Sequence, residues 1–496
     1  MHVVKNYVNG RFREAENTGF LKVHNPSTGD PIAEVPISTR GETERAIEAA
    51  AQAYSDWSRT PVSRRVRPLY ELVGKLRGAE SRIVRTLVTE NGKSVPDARA
   101  EMKRAFENIE AACSMPILQQ GRKLIGCSQG IDGEVIREPL GVFGVIAPFN
   151  FPAMVPFWFV PYAIATGNTV VLKTSEQTPM TMELIAEFIH EVSFPDGVFN
   201  IVNGDRVVGE TLVESSVVRG VSVVGSTRTC RAVAEGCTRT GKRFQAFGGA
   251  KNHLVVMPDA GMDYVIRNIL TSCFGCAGQR CMAAAAVIAV GQPTYTELCE
   301  RFIAASRKIP VADPLDPKVA DEPLVLGPVI SAKAKHFVHD MIAQGVREGA
   351  TLALDGRDCV VLEREDGYFV GPTVFVDVRP GMAIHRTEIF GPVVCILRAE
   401  SLDEAIDTIN GGEYGNGGSI YTQDGSCARR FKLETRVGMI GINVGIPAPV
   451  AYLPFGGTKA SNLSDTKTQG EAIVDFYTQD KIVVERFPDA RRPDLD

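Results

Sequence analysis

The sequence has no long hydrophobic run. Nowhere do the roughly 18 consecutive apolar residues of a membrane span occur, and the opening MHVVKNYVNGRFRE lacks the basic, apolar and small-residue regions of a secretory signal. A cytoplasmic location with no membrane partner is the expectation. Positive charge is not in excess either: 54 lysines and arginines against 59 aspartates and glutamates leave a net charge of -5. That gives no footprint for a phosphate backbone, so nucleic acid is not an expected partner. Internal repeats, low-complexity tracts and the GxGxxG dinucleotide fingerprint are also missing.

Cysteine is present, 11 times, but at spacings that make no disulfide framework in a chain of 496 residues. Most are expected in the core, reduced. The stretch SCFGCAGQRCM places Cys273, Cys276 and Cys281 as C-x2-C-x4-C without a fourth thiol or a histidine, which argues against a closed zinc site. His336 and His339, three apart on a helical pattern, have no cysteine or carboxylate set beside them and read as solvated surface. No metal is expected.

What is there is an ordinary globular composition, 44% hydrophobic and 23% charged, long enough for two or three domains. After the turn cluster NPSTGDP, Thr39 or Gly41 opens a helical run, and helices dominate to about Met115. From Val142 the texture changes: NTVVLK, GVFNIV and RGVSVVG read as buried strands, alternating with helices at TMELIAEFIHEV, VVGETLVES and TRTCRAVAEGCTRT. A second alternation begins after Phe247, with HLVVM, a helix before Cys281, and AAAAVIAV. Two parallel-sheet α/β domains follow from this pattern. The charged end DARRPDLD reads as frayed.

Three constellations carry chemistry. Gly225 and Ser226 lie between a strand and a helix, where free N–H groups can receive a phosphate or where serine simply caps. Lys173 ends a buried strand with Glu176 three residues on, at the sheet edge where ligands of open α/β sheets bind; a solvated loop with a capping acid is the alternative. Cys273 and Cys276 fall late in a helical run and read as packing, whereas Cys281 follows Gly278-Gln279-Arg280 in a loop, with Arg280 available to favour thiolate.

The set APFNFP, LKTSE, VGST, GGAKNH, GQRC, EIFGP and PFGG, in this order, resembles the aldehyde dehydrogenase superfamily from NYVNGRF to DFYTQDKIVV. Within it, PFNFPAMVPFWFVP, GAKNHLVVMPDA, GQRCMA and DFYTQ look most like the CoA-acylating methylmalonate-semialdehyde dehydrogenases. The resemblance implies Cys281 as nucleophile and Asn150 as oxyanion donor beside the Cys281 N–H. It implies Ala147, Phe149, Lys173, Glu176, Ser226, Gly248, Glu388 and Phe390 as cofactor-binding residues for NAD, and Arg104 with Arg280 as a clamp on a substrate carboxylate. It further implies an NAD-binding domain over 1–122 and 145–252 with a return near 444–467, and a catalytic domain over 253–443. A small β oligomerisation extension over 123–144 and 468–496 would pair subunits into a homodimer or homotetramer.

One departure bears on the reaction. Hydrolytic relatives carry a water-activating glutamate in an ELGGK-type motif, but QAFGGAKNH puts Phe247 there. Water, with a pKa of about 16, needs a base to attack a thioester; a thiol, with a pKa of roughly 8 to 9, is already partly ionised. Coenzyme A is therefore the expected acyl acceptor. The expected activity is NAD-dependent oxidation of malonate semialdehyde or its 2-methyl derivative, with loss of CO2, to acetyl-CoA or propanoyl-CoA. The alternatives are a hydrolytic NAD(P)-dependent dehydrogenase with another base, and an inactive structural or binding relative. Thr174, Gln177 and the tail PFGGTKASNLSDTKTQGE also depart from the family pattern.

Overall fold

The computed structural model describes residues 1–16 and 19–487; the end DARRPDLD lies outside them. Two seven-stranded sheets organise the chain. The first has the order Arg243–Phe247, Val218–Val224, Val142–Ile146, Thr169–Lys173, Phe199–Ile201, Asn6–Val8, Arg11–Arg13. Its first five strands are parallel, and Asn6–Val8 and Arg11–Arg13 add an antiparallel edge. Val142–Ile146 and Thr169–Lys173 are buried along their whole length, as strands covered by helices on both faces must be.

The second sheet has the order Thr351–Leu354, Thr373–Val376, Val393–Ala399, Ala284–Val290, Asn252–Val256, Gly417–Tyr421, Met439–Ile442. All its pairings are parallel except that of Thr351–Leu354. A third, three-stranded sheet pairs Arg122–Ser128 with Ile131–Pro139 and Ile131–Pro139 with Thr478–Glu485. Residues 142–144, which the sequence reading divides between the extension and a strand, pair within the first sheet. The α/β class with a small β extension is the architecture found.

Helices dominate from Arg40 to Leu118, as expected, but the segment before them forms strands that the sequence reading does not name. Short strands at His2–Val3, Asn6–Val8, Arg11–Arg13, Phe20–His24 and Pro31–Pro36 precede the helix Arg40–Trp57. Thr39 caps that helix in a reciprocal box with Glu42. The chain also returns to the first sheet late: Phe247 bridges to Asn462, the Leu463 N–H donates to the Ala246 carbonyl at 3.0 Å, and the Tyr477 ring packs edge-on against Phe143 at 4.7 Å.

Candidate active site

Four neighbouring strands of the first sheet end at one edge, and the residues that follow them gather there. Ala147 and Phe149 follow Val142–Ile146, Lys173 closes Thr169–Lys173, Ser226 follows Val218–Val224, and Gly248 follows Arg243–Phe247. Lys173 Nζ meets Glu176 Oε2 at 3.3 Å, and the Ala147 N–H donates to the Lys173 carbonyl at 3.0 Å. Ser226 is exposed and caps the helix Thr227–Arg239 by accepting the Thr229 N–H. Thr174 is drawn inward instead, its hydroxyl donating to Asn203 at 2.6 Å.

The second sheet brings the starts of its strands toward the same cleft. Cys281 stands three residues before Ala284–Val290, in a turn entered through Cys276, Ala277 and Gly278 at φ of 53°, 55° and 72°. Left-handed backbone at two residues other than glycine is uncommon and costs free energy. The Asp97 carboxylate holds the turn by accepting the Cys276 N–H at 2.9 Å. Gly278 is required as glycine: a Cβ there would lie 2.2 Å from the Gly391 carbonyl oxygen.

Asn150 reaches this turn from the first sheet, its side-chain amide donating to the Gln279 carbonyl at 3.0 Å. The loop carrying Asn150 is held by a buried pair that sequence reasoning missed. Lys93 Nζ donates to Glu101 at 2.5 Å and to the Asn150 carbonyl at 2.6 Å, while the other Glu101 oxygen accepts the N–H groups of Ala153 and Met154. In an interior where both side chains are sealed from water, each charge is stable only because the other is paired and hydrogen-bonded.

Glu388 and Phe390 complete the cleft. Phe390 meets Phe149 edge-on at 5.8 Å. One Glu388 oxygen accepts the Ala250 N–H at 2.8 Å, and the other lies 2.6 Å from where a Cβ on Gly249 would stand. Burial pushes the Glu388 carboxyl up to about 7, against the Ala250 N–H and Lys251, which favour its anion. The donor set fits a dinucleotide: a lysine–carboxylate pair for ribose hydroxyls, an exposed capped helix start for phosphate, and a second carboxylate across the cleft.

Arg280 keeps the expected sign of its effect on Cys281 but directs its donors elsewhere. Its guanidinium donates to the Thr271 and Ser272 carbonyls at 2.6 and 2.9 Å, at the end of the helix Met262–Phe274. It still favours the Cys281 thiolate, but burial, first, and then Glu388 outweigh it and push the thiol up to about 12. Cys273 and Cys276 are fully enclosed, and burial raises both thiols. Arg104 pairs with Glu107 on its own helix at 2.5 Å, so the two arginines are engaged separately. The Phe247 ring is buried, stacked on Phe159 and tilted against Phe455, with ring centres 6.2 and 6.3 Å away.

The sequence profile of the aldehyde dehydrogenase family matches residues 12–483. The chain belongs to the aldehyde dehydrogenase family. Among relatives in that family, malonate-semialdehyde dehydrogenase 1 of Geobacillus thermodenitrificans (strain NG80-2) is 43% identical over 98% of this chain and 99% of its own. The solved methylmalonate-semialdehyde dehydrogenase of Oceanimonas doudoroffii superposes with a TM-score of 0.96 at 39% identity over 99% of both chains. A Sinorhizobium meliloti 1021 protein solved in complex with NAD does so with a TM-score of 0.96 at 35% identity, also over 99% of both. In this aldehyde dehydrogenase no helix among the described residues is long and apolar enough to cross a membrane.

Proposed function

We propose that the protein is an NAD-dependent, CoA-acylating dehydrogenase of malonate semialdehyde or methylmalonate semialdehyde, acting in the cytoplasm. The observation that carries the reading is Phe247: the position at which hydrolytic relatives hold a base is a phenyl ring packed between Phe159 and Phe455. The relatives named for these two substrates support the choice of aldehyde.

In this reading Cys281, as thiolate, adds to the aldehyde carbon, and the resulting alkoxide is received by the Asn150 side-chain amide and the Cys281 N–H. NAD, when bound, supplies the acceptor for the hydride that leaves this carbon. Ala147, Phe149, Lys173, Glu176, Ser226, Gly248, Glu388 and Phe390 would hold it. Arg104 and Arg280 would engage the substrate carboxylate on exchanging their present partners. The acyl group then sits on Cys281 as a thioester with a carboxylate at the β position. Its C–C bond breaks to release CO2, the electron pair passing to an enolate stabilised by the same oxyanion donors, and a proton is added at carbon. CoA thiolate attacks the thioester and Cys281 leaves, giving acetyl-CoA or propanoyl-CoA.

Assembly into a homodimer or homotetramer is part of the same proposal. Leu124, Ile125, Ile482 and Val484 stand exposed on the three-stranded extension, apolar side chains that a second subunit would cover.

One observation favours a second reading, the hydrolytic dehydrogenase. Glu388 acts electrostatically on Cys281, and a carboxyl with a pKa near 7 has the right strength for a general base. Product analysis separates the two. Without CoA, the acyl-transfer enzyme gives a burst of about one NADH per site and then a slow phase; with CoA it turns over steadily and yields acyl-CoA. Rapid release of free acid without CoA would overturn the acyl-transfer reading.

A further inference from the structure

Two asparagines outside the roles given above meet on a single carbonyl oxygen. Asn252, the first residue of the strand Asn252–Val256, donates its side-chain amide to the Cys281 carbonyl at 2.8 Å and to the Ala283 carbonyl at 2.8 Å. Its own amide oxygen accepts the Gly417 N–H at 2.9 Å. Asn416, immediately before the strand Gly417–Tyr421, donates to the same Cys281 carbonyl at 3.1 Å and to the Met282 sulfur at 3.0 Å. Both side chains are buried. The Cys281 oxygen therefore receives two donors carried on two neighbouring strands, which fill both of its lone-pair positions and fix its direction from two sides.

A fixed carbonyl has a consequence on the far side of its peptide plane. The described residues contain no cis peptide, so the C=O of Cys281 and the N–H of Met282 point in opposite directions. With the oxygen turned toward the asparagines, the Met282 N–H is turned to the opposite side of the peptide plane, and the N–H groups of Met282 and of Cys281 itself both favour the Cys281 thiolate. The charged groups acting on that sulfur are Glu388, which opposes ionisation, and Arg280, which favours it more weakly. In an enclosed site, a donor already aimed at the developing charge stabilises it without reorganisation.

We propose that Asn252 and Asn416 are positioning residues: by pinning the Cys281 carbonyl they aim the Met282 N–H at the nucleophilic sulfur and set how readily that sulfur ionises and attacks. The proposal rests on Cys281 being the nucleophile and is independent of which acyl acceptor follows. A bond that merely satisfied a buried carbonyl would change the melting temperature of the protein but not the acidity of the thiol.

The test is the rate of Cys281 alkylation by iodoacetamide in the full chain, followed by peptide mass spectrometry across about pH 7 to 10. Asn416→Leu keeps the branching and heavy-atom count of the side chain and removes the donors without adding charge. It is expected to slow alkylation about tenfold throughout, equivalent to a profile moved up by about one pH unit. Asn416→Ser, which keeps a donor, is expected to recover part of the rate. Asn252→Ala should act in the same direction. Because it also frees the Gly417 N–H and can disturb folding, the two Asn416 variants decide, with circular dichroism and NAD affinity checking the fold. A profile for folded Asn416→Leu that superimposes on the parent's would overturn the proposal. NADH formation measured on the alkylated parent reports separately on the nucleophile: activity surviving full modification of Cys281 would sink the catalytic reading, not the geometry of the asparagines.

Discussion

The ammonium of Lys93 donates to the carbonyl oxygen of Asn150 at 2.6 Å, so the proposed oxyanion donor is held through its own backbone by a buried charge. Lys93→Met leaves Glu101 buried and unpaired, a change expected to destabilise the fold by about 3–5 kcal/mol. Replacing both residues with apolar ones of similar size should cost less. Urea unfolding of the two variants checks this; equal losses would show that the charge pair is not the source.

Cys281→Ala should abolish NADH formation, while Cys273→Ala and Cys276→Ala should keep most of it, since both of those thiols are enclosed. Steady-state rates decide. Comparable loss in all three variants would point to a site built from several thiols.

Glu176, placed beside Lys173 at the ribose end of the proposed cofactor cleft, should repel a 2′-phosphate. NAD is expected over NADP in kcat/KM, and Glu176→Gln should narrow the ratio. A parent enzyme that already prefers NADP would move Glu176 out of the adenosine site.

Arg104→Ala is expected to raise KM for a carboxylated semialdehyde by about tenfold or more, the effect of losing one charge-assisted contact, and to leave propanal oxidation nearly unchanged. Arg280 is the less clean probe, because its guanidinium also binds the Thr271 and Ser272 carbonyls. Equal losses on both substrates for Arg104→Ala would make that residue structural.

His253 and His385 face each other Nε2 to Nε2 at 2.9 Å in the interior. Burial, first, with neighbouring positive charge, depresses both: His253 well below its ordinary value and His385 to about 4. With both rings protonated, two N–H donors would oppose each other. Depressed values mean stability that is complete above about pH 6.5 and lost as pH falls toward 4. For His385 alone this amounts to about 3 kcal/mol. His385→Gln should flatten the dependence of the melting temperature on pH over this window. An unchanged slope would place the acid sensitivity elsewhere.

The parallel strands were legible because burial on both faces leaves continuous β-branched runs such as TVVLK. The early strands were not: Asn6–Val8 and its neighbour Arg11–Arg13 are three residues each, and the partner that joins them to the sheet, Phe199–Ile201, lies far along the chain. Cys281 could be singled out from its loop context alone. Lys93 and Asn416 could not, because what they do consists of contacts 57 and 135 residues away. For Arg280, adjacency to the nucleophile gives the sign of its effect on the thiol but not where its donors go: the fold sends its guanidinium back to the helix it follows.

The late return of the chain to the first sheet sets an order on synthesis. The strands of the second sheet are contiguous, from Asn252–Val256 to Met439–Ile442, and can assemble as they leave the ribosome. The first sheet, though made earlier, waits: Tyr477 must arrive to pack on Phe143, its carbonyl must accept Asn168, and the carbonyls of Asp475, Phe476 and Thr478 must accept Arg243. Until then the strand Val142–Ile146 has an apolar face without its cover. The half of the protein translated first is thus the half completed last, and the nascent chain carries that exposed surface through most of its time on the ribosome.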